Sequence, residues 1–199
     1  MIEYNYSIKG DTLTRVDRIK DLGIVFDQKV TFISQIEAVM RKTKRLVAFL
    51  NRNTGNFRDR GVLKALYFSI VRSMLEYGSL IWYPTARKHI KALERVQERL
   101  LPSIYNKIVQ YYPVDIEYGE LLLGFEIGLI WLRNRVAALI FQYDLIHGRI
   151  SDKELLSELN FHVSTYGGRS RTTFYIPRSR SRASHLSIAR RAQKRSIMR

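Results

Sequence analysis

The stretch Leu75 to Pro84, LEYGSLIWYP, most constrains how this chain can fold. It separates two helical patterns, one ending at Tyr77 and one opening near Ala86. Three large aromatics (Tyr77, Trp82, Tyr83) stand beside Gly78, and Pro84 closes the segment. Pro84 biases Tyr83 away from helical geometry, so the chain must turn there. Each Trp or Tyr brings on the order of 150–250 Å² to bury. The segment therefore reads as the corner on which a helical bundle is pinned.

The flanking patterns are helical. From Gln35 to Arg52, Ile36, Val39, Met40, Val47 and Leu50 gather on one side at about 100° per residue, and Thr54-Gly55-Asn56 ends the run. Arg41, Lys44, Arg45 and Arg52 gather on the opposite side, with no acidic residue in the helix after Glu37. That basic face points to phosphate contact. Leu63, Leu66, Tyr67, Ile70, Val71, Met74 and Leu75 define a second helix. Ile90, Leu93, Val96 and Leu100 define a third, with Arg87, Lys91, Arg95 and Arg99 outside, offset by Glu94 and Glu98, and with Pro102 expected to stop it. Three such helices with short connections predict an antiparallel bundle.

Before the bundle, Tyr4 to Val16 alternates apolar and polar residues around Lys9-Gly10-Asp11, the pattern of a β-hairpin. Leu22 to Phe26 reads as a third strand, in which Gly23 marks a bulge or a close backbone approach. So few strands have little stability alone and look like the edge of a larger unit. After the bundle come an aromatic linker (Tyr105 to Pro113) and one or two helices between Leu121 and His147, with Ala137, Ile140, Tyr143 and Ile146 helically spaced. Gly148 suits a C-terminal cap, and Ser151 opens a short helix to Leu159. The expected fold is mainly α. Residues 1–30 form a small β element, 31–104 a three-helix bundle, 105–163 additional helices, and 164–199 a basic Arg/Ser-rich tail. The tail has too little apolar surface to offset its ordering entropy and is expected to be disordered until it meets a partner.

Net charge narrows the partners. The chain carries +16, and its last 41 residues hold ten Lys or Arg with no Asp or Glu. Such an excess points to a polyanion. Arg169 and Arg171 stand where the tail begins. There is no cysteine, which excludes disulfides and thiolate metal sites, and His89, His147, His162 and His185 show no ligand spacing. Met1-Ile2-Glu3-Tyr4 does not open a secretory signal, and Glu126, Arg133 and Arg135 interrupt the longest apolar run. A nuclear or cytoplasmic protein outside the membrane is expected.

Three segments together, IKDLGIVFD, KALYFSIVRSMLEYGSLIWYP and IKALERVQERLL, resemble the C-terminal part of a non-LTR retrotransposon reverse transcriptase, of the jockey-like LINE type. The similarity runs from about Tyr4 to about Arg171. It implies that Lys20, Asp21, Leu22 and Gly23 match the primer grip at the end of the palm. Leu75, Glu76, Tyr77, Trp82 and Pro84 match a corner of the thumb, the part that holds the template–primer duplex. Glu94, Arg95, Val96 and Gln97 match the following helix. Arg133 and Arg135 stand near a paired-arginine segment of the family but are split by Asn134. The polymerase reaction uses palm aspartates holding two Mg²⁺ ions. This chain has no Asp-Asp pair and no phosphate-cradling glycine motif, so no catalytic or metal residue is assigned. The resemblance thus implies a nucleic-acid-binding fragment, inactive alone, whose Mg²⁺ belongs to the full-length polymerase. Its partners would be an RNA–DNA or DNA duplex and the missing palm and fingers. The expected binding residues are Lys20 and Gly23 from the resemblance, Arg41, Lys44, Arg45 and Arg52 from the basic helix face, and Arg169 and Arg171 from the basic tail. Two other readings stand beside it: a degenerate or domesticated helical module that binds a protein, and an enzyme working in trans with a separately encoded palm.

Overall fold

The computed structural model describes residues 6–110 and 116–159. The expected tail, with Arg169 and Arg171, lies outside them. The fold is mainly α, with two small antiparallel strand pairs before the helices.

β1 (Ser7–Ile8) pairs with β2 (Asp11–Thr12), and β3 (Arg18–Asp21) pairs with β4 (Ile24–Asp27). The expected single strand over Leu22 to Phe26 is corrected here. Leu22 and Gly23 both have positive φ (44° and 83°) and form the two-residue turn of the second hairpin. Two left-handed residues in succession give the strand reversal that matches sheet twist, so Gly23 is a turn residue, not a bulge. Of the hairpin side chains, Ile24 alone is buried, whereas Ile8, Leu13, Val16, Ile19 and Leu22 face outward. Asp27 then anchors the path into the first helix. Its carboxylate accepts from the Lys29, Thr31 and Phe32 amides at 3.1, 2.9 and 2.8 Å and from the Thr31 hydroxyl at 2.9 Å. Burial opposes ionisation, but these donors outweigh it and hold the Asp27 pKa below its ordinary value.

α1 (Ile33–Asn53) buries Gln35, Ile36, Val39, Thr43 and Leu50. Gln35 accepts from the Val25 amide at 3.0 Å, which ties the second hairpin to the helix. A second rod follows, made of α2 (Arg60–Leu66), a π-helical turn (Tyr67–Arg72) and α3 (Ser73–Glu76). Asp59 caps its start by accepting from the Val62 amide at 2.7 Å. Leu63, Tyr67, Val71 and Leu75, four residues apart, are all buried. In a straight α-helix each such step drifts by about 40°. The wider π-turn cancels that drift and keeps the four on one line.

The corner follows, with α4 (Ser79–Trp82) inside it. Leu75, Trp82, Tyr83 and Pro84 are buried, as a bundle corner requires, and the Trp82 indole donates to the Tyr77 carbonyl at 2.7 Å. Tyr77 is the exception at 58% exposed, and its hydroxyl instead donates to the Leu22 carbonyl at 2.8 Å. Gly78 sits at φ 60°, where a Cβ would come within 2.6 Å of Ile24. Corner and hairpin therefore lock together.

α5 runs over Arg87–Val109, straight through Pro102. The expected stop does not occur. The carbonyl that Pro102 leaves unbonded is that of Glu98, an exposed residue that water can satisfy. α1 and α5 run side by side in the same direction, with the second rod antiparallel to both. α6 (Tyr118–Phe125) and α7 (Ile130–Ile146) pack across α5, and α8 (Lys153–Ser157) packs on α7. Gly148 closes α7 at φ 71°, with its own amide bonded to the Leu145 carbonyl and that of Arg149 to the Asp144 carbonyl. Asp152, not Ser151, caps α8, through the Leu155 amide at 3.0 Å.

A buried polar knot joins these helices. The Gln97 oxygen accepts from the Tyr67 hydroxyl and from Arg133 (3.2 Å), while its amide donates to Tyr118 at 2.8 Å and to the Gly128 carbonyl at 3.3 Å. Glu94, only 7% exposed, accepts from the Tyr118 hydroxyl at 2.7 Å and the Ile130 amide at 3.0 Å. Arg133 bonds Glu76 at 2.5 Å, and Arg72 bonds the other oxygen of Glu76 at 2.9 Å. Two expectations are corrected by this knot. Glu94 faces inward and does not offset the outer arginines of α5. On α7 the buried residues are Ile130, Asn134, Ala138, Gln142 and Leu145, whereas Ala137, Ile140, Tyr143 and Ile146 lie outside. Its buried side holds the amides Asn134 and Gln142 while Leu132, Val136, Leu139 and Ile140 face outward, so apolar spacing could not choose its inner side. The Arg133 and Ile130 bonds fix its rotation.

Trp82→Ala should cost about 3–5 kcal/mol, because it empties a fully buried site. A chemical-denaturation midpoint equal to that of the unsubstituted protein would contradict the corner's role. Burial pushes the Glu94 carboxyl above its ordinary 4.5, against the pull of Tyr118, the Ile130 amide and Arg133. The folded state thus holds this proton more tightly than the unfolded one. The contribution of Glu94 to stability is therefore fully present below its unfolded value, about pH 4.3, and is lost as pH rises through the raised value. Glu94→Gln should remove that falling limb in melting curves taken above pH 4.5. Parallel curves for the two proteins would show that Glu94 is not the titrating group.

Candidate nucleic-acid interface

The amphipathic period of α1 buries its apolar side and leaves Arg41, Lys42, Lys44, Arg45 and Arg52 exposed. At 100° per residue, Arg41, Arg45 and Arg52 form a crest within about 40° of one another. Arg41 and Arg52 are about 16 Å apart along the axis. Lys42 and Lys44 fall on opposite flanks of that crest.

On the Lys44 flank, α1 and α5 enclose a groove of about 520 Å³. Lys44, Arg95 and Arg99 supply its cations, Asn51 a polar group, and Met40, Val47 and Val96 part of its apolar lining. The outer row of α5 continues through Lys91 and Arg87, both exposed. None of these cations on α1 or α5 is hydrogen-bonded or ion-paired among the described residues. Glu37 and Glu98 are the exposed carboxylates of the two helices. The Lys42 flank meets the second hairpin, where a cavity of about 430 Å³ is lined by Lys20, Gly23, Lys42, Ser73 and Tyr77, with Gln35 behind.

The sequence-based residues thus fall into separate places. Lys44 lies in the α1–α5 groove, Arg41, Arg45 and Arg52 on the crest, and Lys20 and Gly23 in the hairpin cavity. Arg95, Arg99 and Lys42 were not among them. The row containing Arg95 and Arg99 was visible, but placing Glu94 on the same side hid its net charge. Lys42 lies about 100° from Arg41 and so falls outside the basic face that the sequence pattern defines. The motif residues Glu76, Glu94 and Gln97, which carry the family resemblance, belong to the buried knot.

Chemically, the arrangement suits a polyanion lying along α1. Unpaired, fully hydrated cations on a rigid ridge can replace the counterions of successive phosphates without reorganising the core. A base-reading device would need side chains presented to base edges, and these long cations on a convex ridge instead suit backbone contact. Asp27, at the end of the second hairpin, is spent on four local hydrogen bonds. No cluster of three or more His, Cys, Asp or Glu that could hold a metal occurs among the described residues, and no described helix is long and apolar enough to cross a membrane. No protein-family model, curated protein or solved structure matches the chain.

Proposed function

We propose that the chain is a thumb-like fragment of a non-LTR retrotransposon reverse transcriptase. It holds a template–primer duplex, RNA–DNA or DNA, through its phosphate backbone. The observation that carries this reading is the ridge of unpaired cations on α1 and α5, set outside a core whose own charges are internally paired. The sequence resemblance supplies the family. The fragment brings no catalytic aspartates, and Mg²⁺ enters only with the full-length polymerase. The outward-facing apolar residues of the hairpins (Ile8, Leu13, Val16, Ile19, Leu22) support a missing palm as the partner that covers them. A second reading, a helical module that binds a protein, is favoured by one observation. Leu132, Val136, Leu139, Tyr143 and Ile146 of α7 are spaced alternately by four and three residues and are all exposed.

Salt dependence separates the two. Each neutralised phosphate contributes a slope of about −0.9 in log K against log salt for B-form DNA. Changing Lys44, Arg95 and Arg99 together to Gln should make the slope for a template–primer hybrid shallower by roughly two to three. Affinity should weaken about equally for unrelated sequences, and folding should change by less than about 0.5 kcal/mol per exposed site. Unchanged slope and affinity in the triple variant would remove the proposal. A Tyr143→Glu variant should bind the hybrid normally, and loss of hybrid binding there would contradict placing the duplex contact on α1 and α5.

A further inference from the structure

Past the groove, toward the C-terminal ends of α1 and α5, lies a second concavity of about 690 Å³. Its walls include Arg58, Arg99, Ser103, Asn106, Lys107 and Gln110. Three basic residues therefore line one open basin, and no carboxylate lines it among the described residues.

Two of the three cations are held in place by neutral oxygens. The Lys107 ammonium bonds the Thr54 hydroxyl at 2.7 Å and approaches the carbonyl and side-chain oxygens of Asn51 at 3.5 Å. Thr54 is itself buried and bonded to the Leu50 carbonyl at 2.6 Å, so this anchor is rigid. The Arg58 guanidinium donates to the Gly55 carbonyl at 2.7 Å and the Phe57 carbonyl at 3.3 Å. Arg99 has no partner among the described residues. Partial burial, and then the charge of Arg58, depress the Lys107 pKa. Arg58 and Lys107 therefore repel each other while both are held in place, an arrangement that an anion would relieve.

We infer that this basin binds a phosphate group carrying two negative charges, a phosphate monoester, through Arg58, Arg99 and Lys107. Two guanidinium forks beside one ammonium match a phosphate that offers three oxygens. An internal phosphodiester carries one charge and would leave most of the cluster uncompensated. Ser103, Asn106 and Gln110 add neutral hydrogen-bonding groups around it. Arg99 lines both this basin and the α1–α5 groove. A strand whose backbone follows the groove would thus reach the basin at its end. That last step rests on the duplex-binding reading above, whereas the anion site does not.

The test compares template–primer hybrids that differ only in a terminal phosphate, by fluorescence anisotropy, with pyrophosphate titrated separately by calorimetry. A phosphorylated end, 5′ or 3′, should tighten binding roughly five- to tenfold. Arg58→Gln and Lys107→Gln should each abolish that preference and the pyrophosphate heat, while the unphosphorylated hybrid still binds. Arg58 is exposed, so its variant reports on the site even where Lys107→Gln perturbs folding. Equal affinity for both hybrids, with no pyrophosphate heat, overturns the inference and leaves duplex binding standing. Pyrophosphate binding that needs Arg58, in a protein that binds no hybrid, keeps the site, assigns it to a free phosphorylated ligand, and overturns the duplex reading. Silence in both assays overturns both.

Discussion

The side-chain amide of Gln97 is the interaction on which the rest depends. It is fully buried, and its oxygen and nitrogen bond four partners, Tyr67, Arg133, Tyr118 and the Gly128 carbonyl. Through them α5 is tied to the second rod, α6, the loop before α7, and α7 itself. A buried amide left unpaired costs about 1–3 kcal/mol per group, so these partners hold one another in register. Glu94, one turn earlier, adds the Tyr118 hydroxyl and the Ile130 amide to the same tie.

This inward commitment of polar groups determines what the surface can do. Glu76 is spent on Arg72 and Arg133, and Glu94 on Tyr118 and Ile130, so neither is available to the outer cations of α5. The α1–α5 side is accordingly rich in unpaired positive charge. The exposed apolar row lies on α7. One small fold thus presents a cationic ridge and an apolar face on different helices, which is why the two functional readings can be separated by substitution.

The bundle was legible where one periodicity dominated. The apolar and basic faces of α1 could be drawn from Ile36, Val39, Leu50 and Arg41, Arg45, Arg52 alone, and the corner from Trp82 and Pro84. The second hairpin was hidden because its turn opens with Leu22, where asparagine or glycine would signal φ above zero. Pro102 was misread because a helix tolerates the missing bond where the orphaned carbonyl meets water. α7 defeated periodicity because its inner side carries the amides Asn134 and Gln142 and its outer side a row of apolar residues, and long-range bonds from Glu94 and Glu76 decide its rotation. The groove was only half legible for the same reason. Arg95 and Arg99 join Lys44 through the parallel packing of α1 and α5, which no local pattern records.

Crosslink mapping tests the central claim most directly. A photoreactive template–primer hybrid bound to the full chain would be irradiated, digested and read by mass spectrometry. The account predicts adducts on peptides carrying Arg41, Lys44 and Arg45 and on those carrying Arg95 and Arg99, with none on Val136 to Ile146. Adducts confined to α7, with α1 and α5 unmodified, would contradict it.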